Sequence, residues 1–202
     1  MKLYVLTGAC SLASFISLNE SGVKFEHVSV DRKSKVTSDG EDYNKINPKG
    51  YVPALKLDNG QVLTENVAVL SYIADLNPAA KLAPPPGTFE RYRLLEWLGY
   101  VNSEVHKNFS VLFNPKAPED TKAHGRANID RRLGFIEDTL GDKPFLMGSD
   151  FSVADAYLYV VLSWREKLGI DIGKFPKVTA LYERVRARPS VRAARDTEGL
   201  AP

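Results

Sequence analysis

Apolar positions follow two different periods along this chain, and the change of period divides it. Leu3, Tyr4, Val5 and Leu6 form a short continuous run and Gly8 breaks it; Leu12, Phe15, Ile16 and Leu18 then recur at helical spacing. This predicts a strand, a tight loop and a helix that ends at Ser21-Gly22. Residues 25–30 place Val28 and Val30 on one face of a second strand, and the charged stretch 31–40, with Lys33 and Lys35 as its cations, reads as a surface loop. After a turn at Asn47-Pro48-Lys49-Gly50, residues 54–57 form a third strand, and Asn59-Gly60 predicts a two-residue hairpin turn into a fourth over 61–64. Val67, Leu70, Ile73 and Ala74 return to helical period, with Asn66 expected to cap that helix.

Beyond residue 77 the composition shifts. Pro78, Pro84, Pro85, Pro86 and Gly87 form a connector in which neither helix nor strand continues, and the chain from Thr88 onward is helical in pattern. The expected organisation is an α/β unit over 1–77, a linker over 78–87 and an all-helical unit over 88–202. The longest helix spans 88–113, about 35–40 Å at 1.5 Å per residue, and stops at Asn114-Pro115. A second begins near Pro118 and closes at Gly141. Ser152-Val153-Ala154-Asp155 is a capping box, and the helix it opens is apolar nearly all round, which predicts the buried centre of the unit. A last helix starts at Pro176 and ends at Arg188-Pro189.

Composition narrows the function. A chain of 202 residues that is 44% hydrophobic can bury a sizeable core. Its 27 basic and 25 acidic residues lack the one-sided excess of a nucleic-acid binder, and the arginine-rich run 184–195 reads as the solvated face of the last helix. The single cysteine excludes an internal disulfide framework and fits a reducing, cytoplasmic setting. No apolar run is long enough to span a bilayer, and the opening residues are too few for a signal peptide, so neither a membrane nor a nucleic acid is expected as partner.

Four places carry candidate chemistry. Cys10 falls just before the first helix, where a helix N-terminus lowers a thiol from about 8.5 into roughly the 3.5–7.5 range; a small buried apolar residue accounts for it equally. On the longest helix, Gly99, Ser103, His106 and Lys107 form a polar stripe opposite Leu94, Leu98, Val101, Val105 and Leu112, either a cleft lining or a solvent face. Val52-Pro53 is either an edge-strand start or a cis bond that turns the Val52 backbone groups toward an extended peptide. Glu65-Asn66 at a helix start offers backbone N–H groups to a carboxylate and an acid to an ammonium group; plain capping explains Asn66 but not Glu65.

Gly8-Ala9-Cys10-Ser11-Leu12, the run from Asn47 to Leu55, Leu63-Thr64-Glu65-Asn66 and Gly148-Ser149-Asp150-Phe151-Ser152-Val153-Ala154-Asp155-Ala156 occur in that order. Together they resemble cytosolic glutathione transferases, most of all the bacterial beta class, over essentially the whole chain. The resemblance implies an α/β thioredoxin-like N-terminal domain with an all-α C-terminal domain, a homodimer, glutathione as co-substrate without a metal, and a detoxifying conjugation to small electrophiles. It implies catalytic roles for Cys10 and His106 beside the glutathione sulfur and a mixed disulfide on Cys10. Ala9, Lys35, Val52, cis-Pro53, Glu65, Asn66, Ser103, Glu104 and Lys107 would bind glutathione, with Ser103 and Glu104 also near the dimer contact. Asn66 stands where the family often has serine, and Gly99 where it commonly has a polar side chain. Tyr100, Phe109, Leu112 and Phe113 are candidates for the electrophile pocket, the core or the dimer contact. An isomerase, a reductive dehalogenase or a non-catalytic ligand-binding or scaffold protein on the same fold are the alternatives.

Overall fold

The computed structural model describes residues 1–200 of the chain. The backbone divides into two units, one of Met1–Ala83 with the segment from Arg188 onward, the other Pro84–Ala187. In the first, β1 (Lys2–Val5), α1 (Ser11–Ser21), β2 (Glu26–Ser29), α2 (Tyr43–Ile46), β3 (Ala54–Lys56), β4 (Val62–Thr64) and α3 (Asn66–Leu76) follow in order. The sheet order is β2-β1-β3-β4, with β1 parallel to β2 and the other pairs antiparallel. Side chains alternate along β1, so Tyr4 points opposite to Leu3 and Val5, and all three are buried. Tyr4 joins Val28, Val30, Tyr43 and Ala54 in an apolar cluster, its ring 5.6 Å from that of Tyr43. Helices α1 and α3 pack on each other, and Gly22 closes α1 in the left-handed conformation at φ 69°. This is the thioredoxin-like arrangement expected.

Three local expectations change. Helix α2 is a single turn capped by the Asp42 side chain on Asn44 N–H, too short to show a period in sequence. The hairpin loop holds three residues, not two: Leu57 N–H bonds Gln61 O at 2.8 Å, Gly60 N–H bonds Leu57 O at 2.9 Å, and Gly60 takes φ 86°. Asn66 does not cap α3; Glu65 holds the cap position at φ 71°. The Asn66 amide is buried and spent on α1, its Nδ2 donating to Cys10 O and its Oδ1 accepting from Ser14 Oγ, both at 3.0 Å.

In the second unit, α4 (Phe89–Tyr100), a π-helical turn over Val101–His106 and α5 (Lys107–Leu112) run on without interruption. The long helix is therefore present with one widened turn inside it. Helices α6 (Glu119–Leu140), α7 (Val153–Ser163), α8 (Arg165–Leu168) and α9 (Pro176–Arg186) complete the unit. Every residue of α7 from Val153 to Leu162 is buried, as its all-round apolar pattern predicts.

The chain after Ala187 corrects the expected 88–202 unit. Pro189 begins α10 (Pro189–Thr197) instead of ending the helical structure, since proline suits a first helical turn. Helix α10 lies on α1 and so belongs to the first unit. Arg188 forms a two-pronged pair with Glu20 at 2.6 and 2.9 Å, Asn19 Nδ2 donates to Ser190 O at 3.2 Å, and Ser190 Oγ donates to Glu20.

The α7 capping box centres on buried Asp155, which accepts from Leu146 N–H at 2.8 Å, Ser152 N–H at 2.9 Å and Ser152 Oγ at 2.7 Å. Removing it leaves buried donors unpaired at the start of the central helix, so Asp155→Ala is expected to cost about 3 kcal/mol of unfolding free energy. A urea unfolding midpoint equal to wild type would show that those donors find other partners.

Candidate active site

Cys10 occupies the residue before α1 with helical dihedrals, and its side chain caps nothing. It is partly exposed, and its thiol donates to Val52 O at 3.3 Å. That contact belongs to the protonated sulfur, because a thiolate has no hydrogen to give. The Val52-Pro53 bond is cis, the second of the two readings open in the sequence. The preceding Tyr51 carbonyl accepts from Tyr43 Oη and Asn47 Nδ2, each at 2.7 Å, which pins the approach to β3. Val52 N–H has no hydrogen-bond partner among the described residues. Next to this edge, Lys35 sits at φ 58° and its Nζ donates to Gly50 O at 3.0 Å. Ala9 shares the loop with Cys10, its N–H bonded to Leu6 O at 2.9 Å. Exposed Glu65 pairs with Lys49 at 2.8 Å, and Asn66 touches the Cys10 carbonyl. The first unit thus links Cys10 directly to both Val52 and Asn66.

A second group lies on the long helix. The expected single polar stripe splits there: Ser103 and Lys107, four residues apart, share the solvent face, and His106, one residue before Lys107, lies off it on the π turn. Ser103 and Lys107 are exposed, and the Lys107 ammonium has no hydrogen bond or ion pair among the described residues. Glu104 pairs with Arg132 of α6 at 2.6 Å. His106 turns inward: its Nδ1 lies 2.7 Å from Tyr157 Oη, and its ring centroid 4.9 Å from that of Trp164. Burial, with Lys107 adding to it, pushes the imidazole down to about 4, so the ring is neutral at pH 7. Of the aromatic-pocket candidates, Phe109 and Leu112 are core, whereas Phe113 is 41% exposed and packs on Trp164 at 5.4 Å. Tyr100, with Trp97 and Phe135, lines a separate cleft of about 490 Å³.

Tyr43, Asn47, Ser14, Asn102 and Tyr157 carry no distinguishing mark in the sequence pattern. Asn47 is visible only within its Asn-Pro-Lys-Gly turn, and Tyr157 has the same spacing as its apolar neighbours in α7. Glu198 is equally unmarked. Its Oε2 accepts Gly8 N–H at 2.8 Å in the Cys10 loop, while its Oε1 is buried without a hydrogen-bond partner among the described residues. Burial pushes this carboxyl up to about 7 against the opposing pull of Gly8 N–H and Arg195. No group of three or more His, Cys, Asp or Glu that could hold a metal ion occurs among the described residues, and no helix among them is long and apolar enough to cross a membrane.

The family models for the glutathione S-transferase N-terminal and C-terminal domains match residues 8–76 and 97–189. The chain belongs to the glutathione S-transferase family. Glutathione S-transferase GstA of Escherichia coli O157:H7 is 43% identical over 200 residues, covering 99% of this chain and 100% of that protein. A sphingomonad glutathione S-transferase solved with glutathione bound matches the whole of both chains with a TM-score of 0.95 at 46% identity, and so does the beta-class enzyme of Sphingomonas chungbukensis. The protein is a glutathione transferase of beta-class type, with glutathione as its co-substrate.

Glu198 makes the stability of this transferase depend on pH. Its folded pKa stands above the usual carboxyl value, so its stabilising contribution is complete below about pH 4.5 and is lost as pH rises through about 7. Glu198→Gln keeps an acceptor for Gly8 without titrating, so its urea midpoint is expected to gain on wild type between about pH 5 and pH 8. Two midpoints separated by the same amount at both pH values would contradict this assignment.

Proposed function

We propose that this transferase joins the sulfur of glutathione to small, largely apolar electrophiles, and that Cys10 adds a glutathione-dependent disulfide exchange. The observation that carries the reading is the Val52 edge: an unpaired N–H, and a carbonyl that takes the Cys10 thiol and keeps a second lone pair, offer an extended peptide one acceptor and one donor. A cysteinyl peptide laid there would bring its sulfur toward Cys10.

The ends of the tripeptide have suitable partners. The first-turn N–H groups of α3 suit its α-carboxylate, and Glu65 suits its ammonium group. Because the Asn66 side chain is spent on α1, this reading moves the anchor from that amide to the backbone. Exposed Lys49–Glu65 is a pair that a ligand can displace at small cost. Lys35 suits the glycine carboxylate. The assignment of Ser103, Glu104, His106 and Lys107 to glutathione, and of a catalytic role to His106, rests on the family resemblance. For the electrophile, Phe113 and Trp164 beside His106 supply an apolar wall, and a side-chain atom at Gly99 would meet nothing within 4 Å, which leaves open space at that point.

In conjugation the glutathione sulfur forms the C–S bond while the leaving group departs with the bonding electron pair. In exchange the Cys10 thiolate attacks a glutathione disulfide, one S–S bond replaces another, and glutathione thiolate leaves. We further assign the enzyme to the cytoplasm, on its lone cysteine, and to a homodimer. Phe89 and Tyr92 of α4, and Phe135 in the wall of the Trp97 cleft, are exposed aromatic residues and suit a partner surface.

Cys10→Ala is expected to abolish disulfide exchange while conjugation of 1-chloro-2,4-dinitrobenzene stays within roughly threefold of wild type. Exchange that persists in the variant would remove Cys10 from that role. Absence of calorimetric binding at millimolar glutathione would overturn the reading as a whole.

A further inference from the structure

Tyr157 carries a hydroxyl into the buried middle of α7, and a buried hydroxyl needs partners. It finds two on the π turn of the neighbouring helix: Oη lies 3.0 Å from Asn102 Oδ1 and 2.7 Å from His106 Nδ1. An amide oxygen only accepts, so Tyr157 gives its one proton to Asn102. The contact to His106 then requires the proton to sit on Nδ1. A neutral imidazole has a single N–H, so Nε2 is left as a bare acceptor. The Trp164 ring at 4.9 Å and the Tyr157 ring, edge-on at 5.8 Å, hold the imidazole in this pose.

We propose that Asn102 and Tyr157 are positioning residues that fix neutral His106 as its Nδ1–H tautomer, so that Nε2 is bare and accepts a hydrogen bond from the glutathione thiol before the proton leaves. The proposal rests on the reading of His106 as a catalytic residue. A thiol can give its S–H to that nitrogen, whereas a thiolate would find no hydrogen on it. His106 thereby favours the step in which the glutathione proton leaves: the proton passes to Nε2, and the imidazolium N–H so formed faces the sulfur it came from. The order of the three groups matters: with the Asn102 acceptor removed, the Tyr157 proton becomes available to Nδ1 and the ring proton moves to Nε2.

Nitrogen-15 NMR of the ligand-free protein reads the tautomer directly, with His27 and His124 as internal references and His106→Gln to assign the signal. Wild type is expected to show a protonated Nδ1 and a bare Nε2. Asn102→Ala should transfer the proton to Nε2, and Tyr157→Phe should release the ring to a mixture. In both variants kcat for 1-chloro-2,4-dinitrobenzene should fall roughly tenfold, with KM for glutathione within about twofold. A wild-type ring protonated on Nε2, or an Asn102→Ala ring unchanged from wild type, would overturn the proposal, and the second result remains informative if Tyr157→Phe fails to fold. Because the NMR measurement needs no glutathione, it fails or succeeds separately from the binding test above.

Discussion

Burial of one amide group determines how the Cys10 and Val52 edge of the first unit is put together. Asn66 is almost wholly removed from water, and a buried amide left unpaired would cost several kilocalories per mole. Its two ends find their partners on α1, at the Cys10 carbonyl and the Ser14 hydroxyl. The starts of α1 and α3 are therefore tied to each other, and the Cys10 loop inherits its position from that tie. The Val52 strand entrance is fixed independently, from the other side, by Tyr43 and Asn47. The thiol meets the carbonyl where the two constraints come together.

The second unit obeys a similar logic with different parts. Its centre is apolar from Val153 to Leu162, so the few polar atoms it admits are placed and paired. Asp155 takes three donors at one end of α7, and Tyr157 bridges two side chains on the long helix further along. Both of those side chains lie on the π turn. Along it Asn102 and His106 share an inward face while Ser103 and Lys107, each one residue further on, stay in solvent.

This distinction sets what can be read from residues alone. Strand and helix periods, the capping box, the Asn-Pro-Lys-Gly turn and the proline-rich boundary are legible because each is a local preference. The Cys10 loop and the Val52 edge are legible as candidates for the same reason. The roles of Asn66 and His106 are not, since each depends on a partner distant in sequence: Cys10 and Ser14 for one, Tyr157 for the other. Asn66 has the composition of a cap and serves as a cross-brace. Pro189 has the look of a terminator and opens a first helical turn, because only the folded chain shows α1 waiting with Glu20 to receive Arg188.

That return of α10 to α1 has a consequence for biosynthesis. The flank of α1 that receives Arg188 and Ser190, and the Gly8 amide that Glu198 accepts from, stay uncovered on the nascent chain until more than a hundred further residues have been translated. The first unit is thus finished only after the whole of the second unit has been translated, and the same delay applies to its thiol-bearing loop.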